Sequence, residues 1–482
     1  MIKRKIFFFF FLSGVFVLSF SFSKSTFPAL SQLKSEVEKL KKDPDLSHGV
    51  LGIYVVDVKK DSVLFDYNGN IGLVPASSQK TITTGAALCL LGEEYQYETK
   101  LEYDGTIDTT NGILKGNLYV KGSGDPTLGS KYFKCLKDTC VPFIFRWIDA
   151  VKEKGIKKIE GAVIADASVF EDEMTPSTWI WGDMGNYYGA GACGLSYKDN
   201  LYTVFFKTGV EGDSAKIMKI IPSIPGMKIT NYVKAAGTSD NCYIYGAPYH
   251  NKRYATGFVP ANQIGYEVDG SMPDPSFYFA YELDSVFKNS GIEISQKPTT
   301  IRELKLAKQY KQTLRKVLAS EKSPSLSSIV YYTNKYSINL YAECLLKTIA
   351  LKQKKFGGEN EGSSAITQFW ANKGVNTGGM YLNDGCGLSR WNSITCKQLA
   401  NVMKLMTKEK CFKSFYNSLP IHNDNVSAKS GYITRVRSYA GYAKKKNGDL
   451  ISFAIIANNY DCSPKEMRLK LEKFLDIIGQ LE

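Results

Sequence analysis

The sequence predicts an α+β fold in which an antiparallel sheet flanked by helices is interrupted by a large β-rich insertion, and three observations carry that expectation. Apolar residues recur at helical spacing near both ends, at Leu30, Leu33, Val37 and Leu40 and again at Met467, Leu471 and Phe474. Strand-like runs lie beside them, Leu51 to Val58 and Ser62 to Tyr67 early, then Val426 to Val436, Ser438 to Lys444 and Leu450 to Asn458 late. Between about Tyr95 and Gln312 the texture changes to short strand-like runs alternating with Gly, Asp and Asn turns. At 482 residues and 44% hydrophobic, the chain can bury a sizeable core in two or three domains. The expected division is an address segment at 1–23, a first half of the sheet-and-helix domain at 24–94, the inserted region at 95–312 and the second half at 313–482.

The address segment opens with Met1-Ile2-Lys3-Arg4-Lys5 and runs through an apolar stretch to Phe22, the basic-then-hydrophobic order of a secretory signal. Cleavage is expected near Ser23. The stretch is slightly long for a signal and slightly short for a spanning helix, so an uncleaved anchor is the alternative, and the membrane enters only through it. An exported protein is the consequence. The ten cysteines include no Cys-x-x-Cys pair, which argues against zinc or a thioredoxin-type centre, and Cys135 with Cys140 is the best disulfide candidate. The net charge of +14 would draw an exported protein toward anionic envelope polymers. The charges are scattered, and no organised nucleic-acid module is present.

The stretch Pro75-Ala76-Ser77-Ser78-Gln79-Lys80 follows the first two strand-like runs and starts a helix, since Ile82, Ala86, Ala87 and Leu90 recur at helical spacing before Gly92. Ser-x-x-Lys occurs four times, at Ser21, Ser31, Ser77 and Ser285, and only Ser77 has a hairpin before it and a helix after it. By itself Ser77 reads as an N-cap or as a nucleophile. In the insertion, Gly122-Ser123-Gly124-Asp125-Pro126-Thr127-Leu128 reads as a tight structural turn, not a phosphate loop, because the Lys-Ser/Thr ending is missing. The aromatic and glycine-rich stretch from Trp179 to Gly191 is either a packed loop or a substrate-facing wall. From Leu314 the texture becomes helical again. Asn334 to Asn339 lies between two apolar-faced helices, Asn383 to Arg390 is a glycine-rich loop, Thr395 caps a helix, Asn447-Gly448 turns a hairpin and Ser463 starts the last helix.

One known chemistry combines a Ser-x-x-Lys serine, a Ser-x-Asn between helices and a Lys-Thr/Ser-Gly on a strand. Literal matches at Lys207-Thr208-Gly209 and Ser239-Asp240-Asn241 are in reversed order, and the latter leads into a strand, so both read as coincidence. Ser337-Ile338-Asn339 precedes a helix, and Lys429-Ser430-Gly431 lies on a strand that a hairpin follows. A serine hydroxyl needs a base, and His48, His250 and His422 stand in no setting that suggests a triad. Lys80 is the natural base, made neutral by burial and by the charge of Lys429. Ser337 can pass a proton to a leaving amine, while Asn339 can hold Lys80 and a substrate amide. Lys429 and Ser430 offer charge and a hydroxyl to a carboxylate, and Gly431 lets a substrate backbone approach. The N–H groups of Ser77 and Tyr432 can form an oxyanion hole, typically worth about 3 to 4 kcal/mol per donor removed.

The set Ser77-Ser78-Gln79-Lys80, Ser337-Ile338-Asn339 and Lys429-Ser430-Gly431 resembles the penicillin-recognising serine acyltransferases. The motifs Gly124-Asp125-Pro126-Thr127-Leu128 and Asp384-Gly385-Cys386-Gly387-Leu388-Ser389-Arg390 resemble the low-molecular-mass class C penicillin-binding proteins, the D-Ala-D-Ala carboxypeptidase/endopeptidase family. The likeness spans nearly the whole chain after the address segment, and its most specific feature is the long insertion at 81–336. It implies a penicilloyl-serine-transferase (β-lactamase-like) catalytic domain, a periplasmic location, and cleavage of peptidoglycan stem peptides ending in D-Ala-D-Ala through an acyl-enzyme on Ser77. It also implies acylation by β-lactams and no metal or organic cofactor. By the same resemblance Asp183 and Tyr188 touch the stem-peptide side chain, and Lys347 stands where relatives often carry arginine. Cys386 and Ser430 depart from the usual serine and threonine. The alternatives are a β-lactamase or esterase on the same fold, or a vestigial peptidoglycan-binding protein.

Overall fold

The computed structural model describes residues 28–133 and 142–481, so the expected signal at 1–23 and the pair Cys135 and Cys140 lie outside the described residues. Both ends of the chain meet in one antiparallel sheet. Its strands run in the order Ser62–Tyr67, Val50–Asp57, Leu450–Asn458, Val436–Lys444, Val426–Ile433 and Ile421–Asn423. Side chains alternate across a strand, and the apolar sets alternate with them. Leu51, Ile53, Val55, Phe453 and Ile455 pack with the helices Pro28–Lys41 and Pro464–Ile478 on one face. Tyr54, Val56, Ala454 and Ile456 pack on the other face with Lys80–Leu91, Leu326–Lys335, Asn339–Lys354 and Cys396–Met406. Two expected caps form: Thr395 with Gln398, and Ser463 with Glu466, both as reciprocal capping boxes.

The long middle region builds several small sheets over its own core, which includes Val120, Trp147, Ile159, Phe206 and Phe279. It also holds helices at Phe143–Glu153 and Pro275–Asn289. The first of these buries Ile144, Trp147, Ile148 and Val151, a helical spacing that the β-rich texture around it obscured. The Gly124 turn is structural, with φ of 86° at Gly124 and Asp125 accepting from the backbone and hydroxyl of Thr127. Lys316–Lys322 is a strand, not the start of the helical stretch, and pairs with Glu98–Tyr103. No helix among the described residues is long and apolar enough to cross a membrane.

Phe453 lies fully buried on a central strand. Phe453→Ala should destabilise the protein by about 3 to 5 kcal/mol in chemical denaturation, because the two covering helices cannot collapse onto the void. A loss under about 1 kcal/mol would show that this face is not close-packed.

Candidate active site

Ser77 sits in a 3₁₀ turn, Ala76–Gln79, that feeds the helix Lys80–Leu91. It is not the cap of that helix: no side-chain cap bond forms at Pro75 or Gln79, and the Ser77 hydroxyl faces Lys80 instead. Lys80 is fully buried, and its Nζ lies 3.0 Å from Ser77 Oγ, 2.6 Å from Asn339 Oδ1 and 2.9 Å from the Cys386 carbonyl oxygen. The Asn339 amide is oriented by its Nδ2, which donates to the Tyr188 carbonyl at 2.8 Å. A neutral amine has two N–H donors and one lone pair. With Asn339 Oδ1 and Cys386 O taking the two donors, the lone pair is left for the Ser77 proton. Burial lowers the Lys80 pKa from its ordinary value, opposed by the negative potentials of Cys386, Asp384 and Glu343.

Lys429 is also buried, and its Nζ donates to the Ser430 carbonyl at 2.7 Å. Its pKa falls well below the ordinary lysine value through burial first, then repulsion from Lys80 and Arg437. Gly431 faces the Ser77 turn so closely that a Cβ there would lie 2.3 Å from Ser438 Oγ, 2.7 Å from Pro75 O and 2.8 Å from Ser77 N. Only the start of this strand is covered on its outer side, where Ile421–Asn423 pairs with Val426 and Ser427. Beyond that point the edge through Ser430 and Tyr432 carries no strand among the described residues. Tyr432 is exposed.

Ser337 has φ of 58°, a left-handed conformation uncommon for serine, two residues before the helix Asn339–Lys354. Its hydroxyl makes no hydrogen bond among the described residues. With Asn339 and Tyr188 it lines a cavity of about 510 Å³ whose far wall is the insertion's Tyr187, Asp240, Tyr243 and Asp269. The aromatic stretch divides between the two readings left open for it. Trp179 is buried, Trp181 and Tyr187 are exposed, and Tyr188 is half-buried at the cavity wall. Tyr188 OH donates to Asp183 Oδ1 at 3.3 Å. Burial pushes the Asp183 carboxyl up, and the positive charge of Arg390 pulls it down. Lys347 is remote from this cavity. It is buried and joins the Asn339–Lys354 helix to the insertion through the carbonyls of Glu173 and Ala192 and an ion pair to Glu171 at 3.2 Å.

The residue that sequence reasoning passed over is Asp384. Its Oδ1 accepts from Gln79 Nε2 at 3.1 Å, Gly387 N at 2.7 Å and Asn392 Nδ2 at 2.9 Å, and its Oδ2 from Trp179 Nε1 at 2.9 Å and Ser389 N at 2.6 Å. Thr83 Oγ1 adds a bond to the Gly385 carbonyl at 2.7 Å. An acid inside a glycine-rich loop was the available signal, since such loops fold around an acceptor for their own N–H groups. Glu343, Asp384 and Cys386 place their ligand-type atoms within 4.8 Å of one another. Hydrogen-bond donors already occupy the carboxylates, including Gly385 N on Glu343 at 2.9 Å, so the cluster reads as a packed polar knot and not as a metal site. Cys386 is buried against Trp179, Ala342 and Leu388, so the thiol is accommodated by packing.

His48 and His422 approach Asp461 and Asp476, away from Ser77. The literal matches stay apart as well: Thr208 is bonded to Pro260 O and Gln263 N, while Asp240 and Asn241 reach only the far wall of the cavity.

The arrangement of Ser77, Lys80, Asn339 and Lys429 can be set against known proteins. The model of the D-Ala-D-Ala carboxypeptidase 3 (S13) family matches residues 33–477. The chain belongs to the S13 family. Among curated relatives of this S13 chain, D-alanyl-D-alanine carboxypeptidase DacB of Haemophilus influenzae is 25% identical over 479 residues, covering 95% of this chain and 94% of its own. A D-alanyl-D-alanine carboxypeptidase of Actinomadura sp. (strain R39) is 23% identical, covering 89% and 82%. The fold matches the crystal structure of penicillin binding protein 4 (dacB) from Haemophilus influenzae, with a TM-score of 0.75 at 24% identity over 92% of this chain and 97% of that one.

Burial beside Asp384 pushes the Glu343 carboxyl from 4.5 up to about 8. The folded S13 chain therefore holds a proton that the unfolded chain releases above about pH 4.5, so this contribution to stability is full below that pH and is lost as pH rises toward about 8. Glu343→Gln, which keeps the neutral shape, should flatten the fall of the melting temperature between those limits. Parallel wild-type and variant curves would remove Glu343 as its source.

Proposed function

We propose that this chain is a serine-type D-alanyl-D-alanine carboxypeptidase/endopeptidase that trims or uncrosslinks peptidoglycan stem peptides and is acylated by β-lactams. The observation that carries it is the placement of the buried Lys80 Nζ, 3.0 Å from Ser77 Oγ and held by Asn339 Oδ1 and the Cys386 carbonyl. Lys80 takes the Ser77 proton as Oγ attacks the carbonyl between the terminal D-alanines. Negative charge develops on that oxygen. The Ser77 N–H, in the first turn of a 3₁₀ helix, has no intrahelical partner and serves the oxyanion together with the Tyr432 N–H. Gly431 keeps the space beside Ser77 N clear of any side chain.

The substrate lies along the uncovered edge of the Val426–Ile433 strand. Its terminal carboxylate sits by Lys429 and Ser430, and that negative charge restores the proton that burial disfavours on Lys429. Ser337, whose hydroxyl has no bond among the described residues, relays the proton from Lys80 to the departing D-alanine amine. Water then attacks the acyl-enzyme by the reverse proton path. One Asn339 amide hydrogen is engaged by Tyr188 O, and the second faces the substrate amide. Asp183, with the positive charge of Arg390 in range, suits a stem-peptide side chain that carries both an ammonium and a carboxylate. Export to the periplasm fits this substrate.

Incubation with a labelled penicillin should give a stoichiometric adduct on wild type and none on Ser77→Ala. Lys80→Ala should slow acylation by about 10²- to 10⁴-fold, the usual range for a lost general base. An undiminished adduct in Ser77→Ala defeats the mechanism, and rapid penicillin turnover without release of D-alanine from a D-Ala-D-Ala peptide would favour a β-lactamase. Asp183→Ala should raise KM for a stem peptide with a diamino-acid side chain about tenfold, the effect of roughly 1.4 kcal/mol, and change kcat little. An equal effect on a peptide lacking that side chain would remove Asp183 from the subsite.

A further inference from the structure

The nucleophile helix carries, at the end opposite Ser77, a thiol that the proposed reaction does not use. Cys89 lies in the last turn of Lys80–Leu91 and is half-buried; Cys411 immediately precedes the helix Phe412–Ser418 and is buried. Their sulfurs are 3.6 Å apart, with Met406 Sδ 3.9 Å from Cys89. Other described thiols are placed differently. Cys193 and Cys344 approach one another only through the Ser196 hydroxyl, at 3.8 and 4.0 Å, and Cys396 sits alone in the apolar core. A disulfide needs its sulfurs at about 2.05 Å, so closure here asks for a movement of about 1.5 Å, within reach of small χ1 adjustments at a helix end.

We propose that Cys89 and Cys411 are a redox modification site, closing to a disulfide that clamps the C-terminal end of the nucleophile helix to the Phe412–Ser418 helix. The oxidant is a disulfide donor, a protein or small-molecule disulfide. The Cys89 thiolate, on the more exposed of the two residues, attacks one donor sulfur and expels the other as a thiolate. The Cys411 thiolate then attacks the Cys89 sulfur of the mixed disulfide and expels the second donor thiolate. Two protons leave the protein thiols, two electrons reduce the donor disulfide to two thiols, and one sulfur–sulfur bond forms in the protein. The bridge would reinforce a polar tie between the same two helices. Asn334 Nδ2 lies 3.1 Å from Thr84 Oγ1 in the nucleophile helix and 2.8 Å from Ser418 Oγ at the end of the other. Joining residues this far apart in sequence restricts the unfolded chain strongly, so the oxidised form should melt higher.

The experiment treats the purified full chain with oxidised glutathione, blocks remaining thiols with iodoacetamide in denaturant, and maps peptides by mass spectrometry without reductant. The expected result is a Cys89–Cys411 linked peptide that dithiothreitol removes, with a melting temperature above that of the reduced protein. Cys411→Ser should lose both the linked peptide and the rise while still forming the penicillin adduct. If that variant does not fold, Cys89→Ala serves the same purpose. Both thiols recovered alkylated, Cys89 arrested as a glutathione adduct, or a linked peptide with no rise in melting temperature would each overturn the proposal.

Discussion

The structure turns on keeping one lysine nitrogen out of water beside a serine hydroxyl. A buried ammonium is expensive unless every donor has an acceptor, and Lys80 has three: Ser77 Oγ, Asn339 Oδ1 and the Cys386 carbonyl. The same three partners suit the neutral amine if the Ser77 proton reverses direction and points at nitrogen. Either protonation state is therefore satisfied without moving a heavy atom, which is what a proton shuttle at a buried site requires. Neighbouring charges set the balance. Burial favours the neutral amine, while the negative potentials of Cys386 and Asp384 draw the other way, and the repulsion between the two lysines falls on Lys429. Glu343, held up at about 8, adds little negative charge near neutral pH.

Two residues beside these acceptors stand in left-handed backbone. Ala76, next to Ser77, has φ of 46° and Ser337 has φ of 58°; neither residue type visits that region readily. Such strain persists only where the surroundings over-determine the conformation. At Ala76 they do: its carbonyl packs so closely on Gly387, itself at φ of 87°, that a Cβ at Gly387 would lie 1.9 Å from it. Ser78 Oγ donates to Pro75 O at 2.8 Å, and Ser438 Oγ donates to the same carbonyl. The turn is thus pinned from the helix, the loop and the sheet at once.

Much of this was legible because it is periodic or compositional. The richness of Leu51 to Val58 in Val, Ile and Leu and the apolar run Leu450 to Asn458 pointed to strands, the spacing from Ile82 to Leu90 to the helix after Ser77, and the order of Lys80, Asn339 and Lys429 along the chain matched a known chemistry. What was not legible depends on contacts between distant residues. Ser77 reads as a cap from its own neighbours, yet its hydroxyl answers to a lysine held by residue 339. The helix Phe143–Glu153 was hidden among strands whose turns dominate the local texture. Asp384 looked like one acid in a glycine-rich loop, because three of its five donors come from Gln79, Trp179 and Asn392 outside that loop and the other two from the loop's own backbone.

Those donors also define what the insertion is for. It gives Trp179 Nε1 to Asp384 and the Tyr188 carbonyl to Asn339, and it receives the buried Lys347 ammonium on Glu171, Glu173 and Ala192. Without it, a buried lysine would lose its acceptors, Asp384 would lose a donor and the Asn339 amide would lose the bond that orients it. Leaving one such buried group unpaired costs about 1 to 3 kcal/mol, and more for a charge. The sum is comparable to the whole stability of an ordinary domain. The insertion is therefore part of the machinery that orients Asn339 and, through it, Lys80. A sheet-and-helix core stripped of it would retain Ser77 and Lys80 in sequence without holding the nitrogen's lone pair on the hydroxyl.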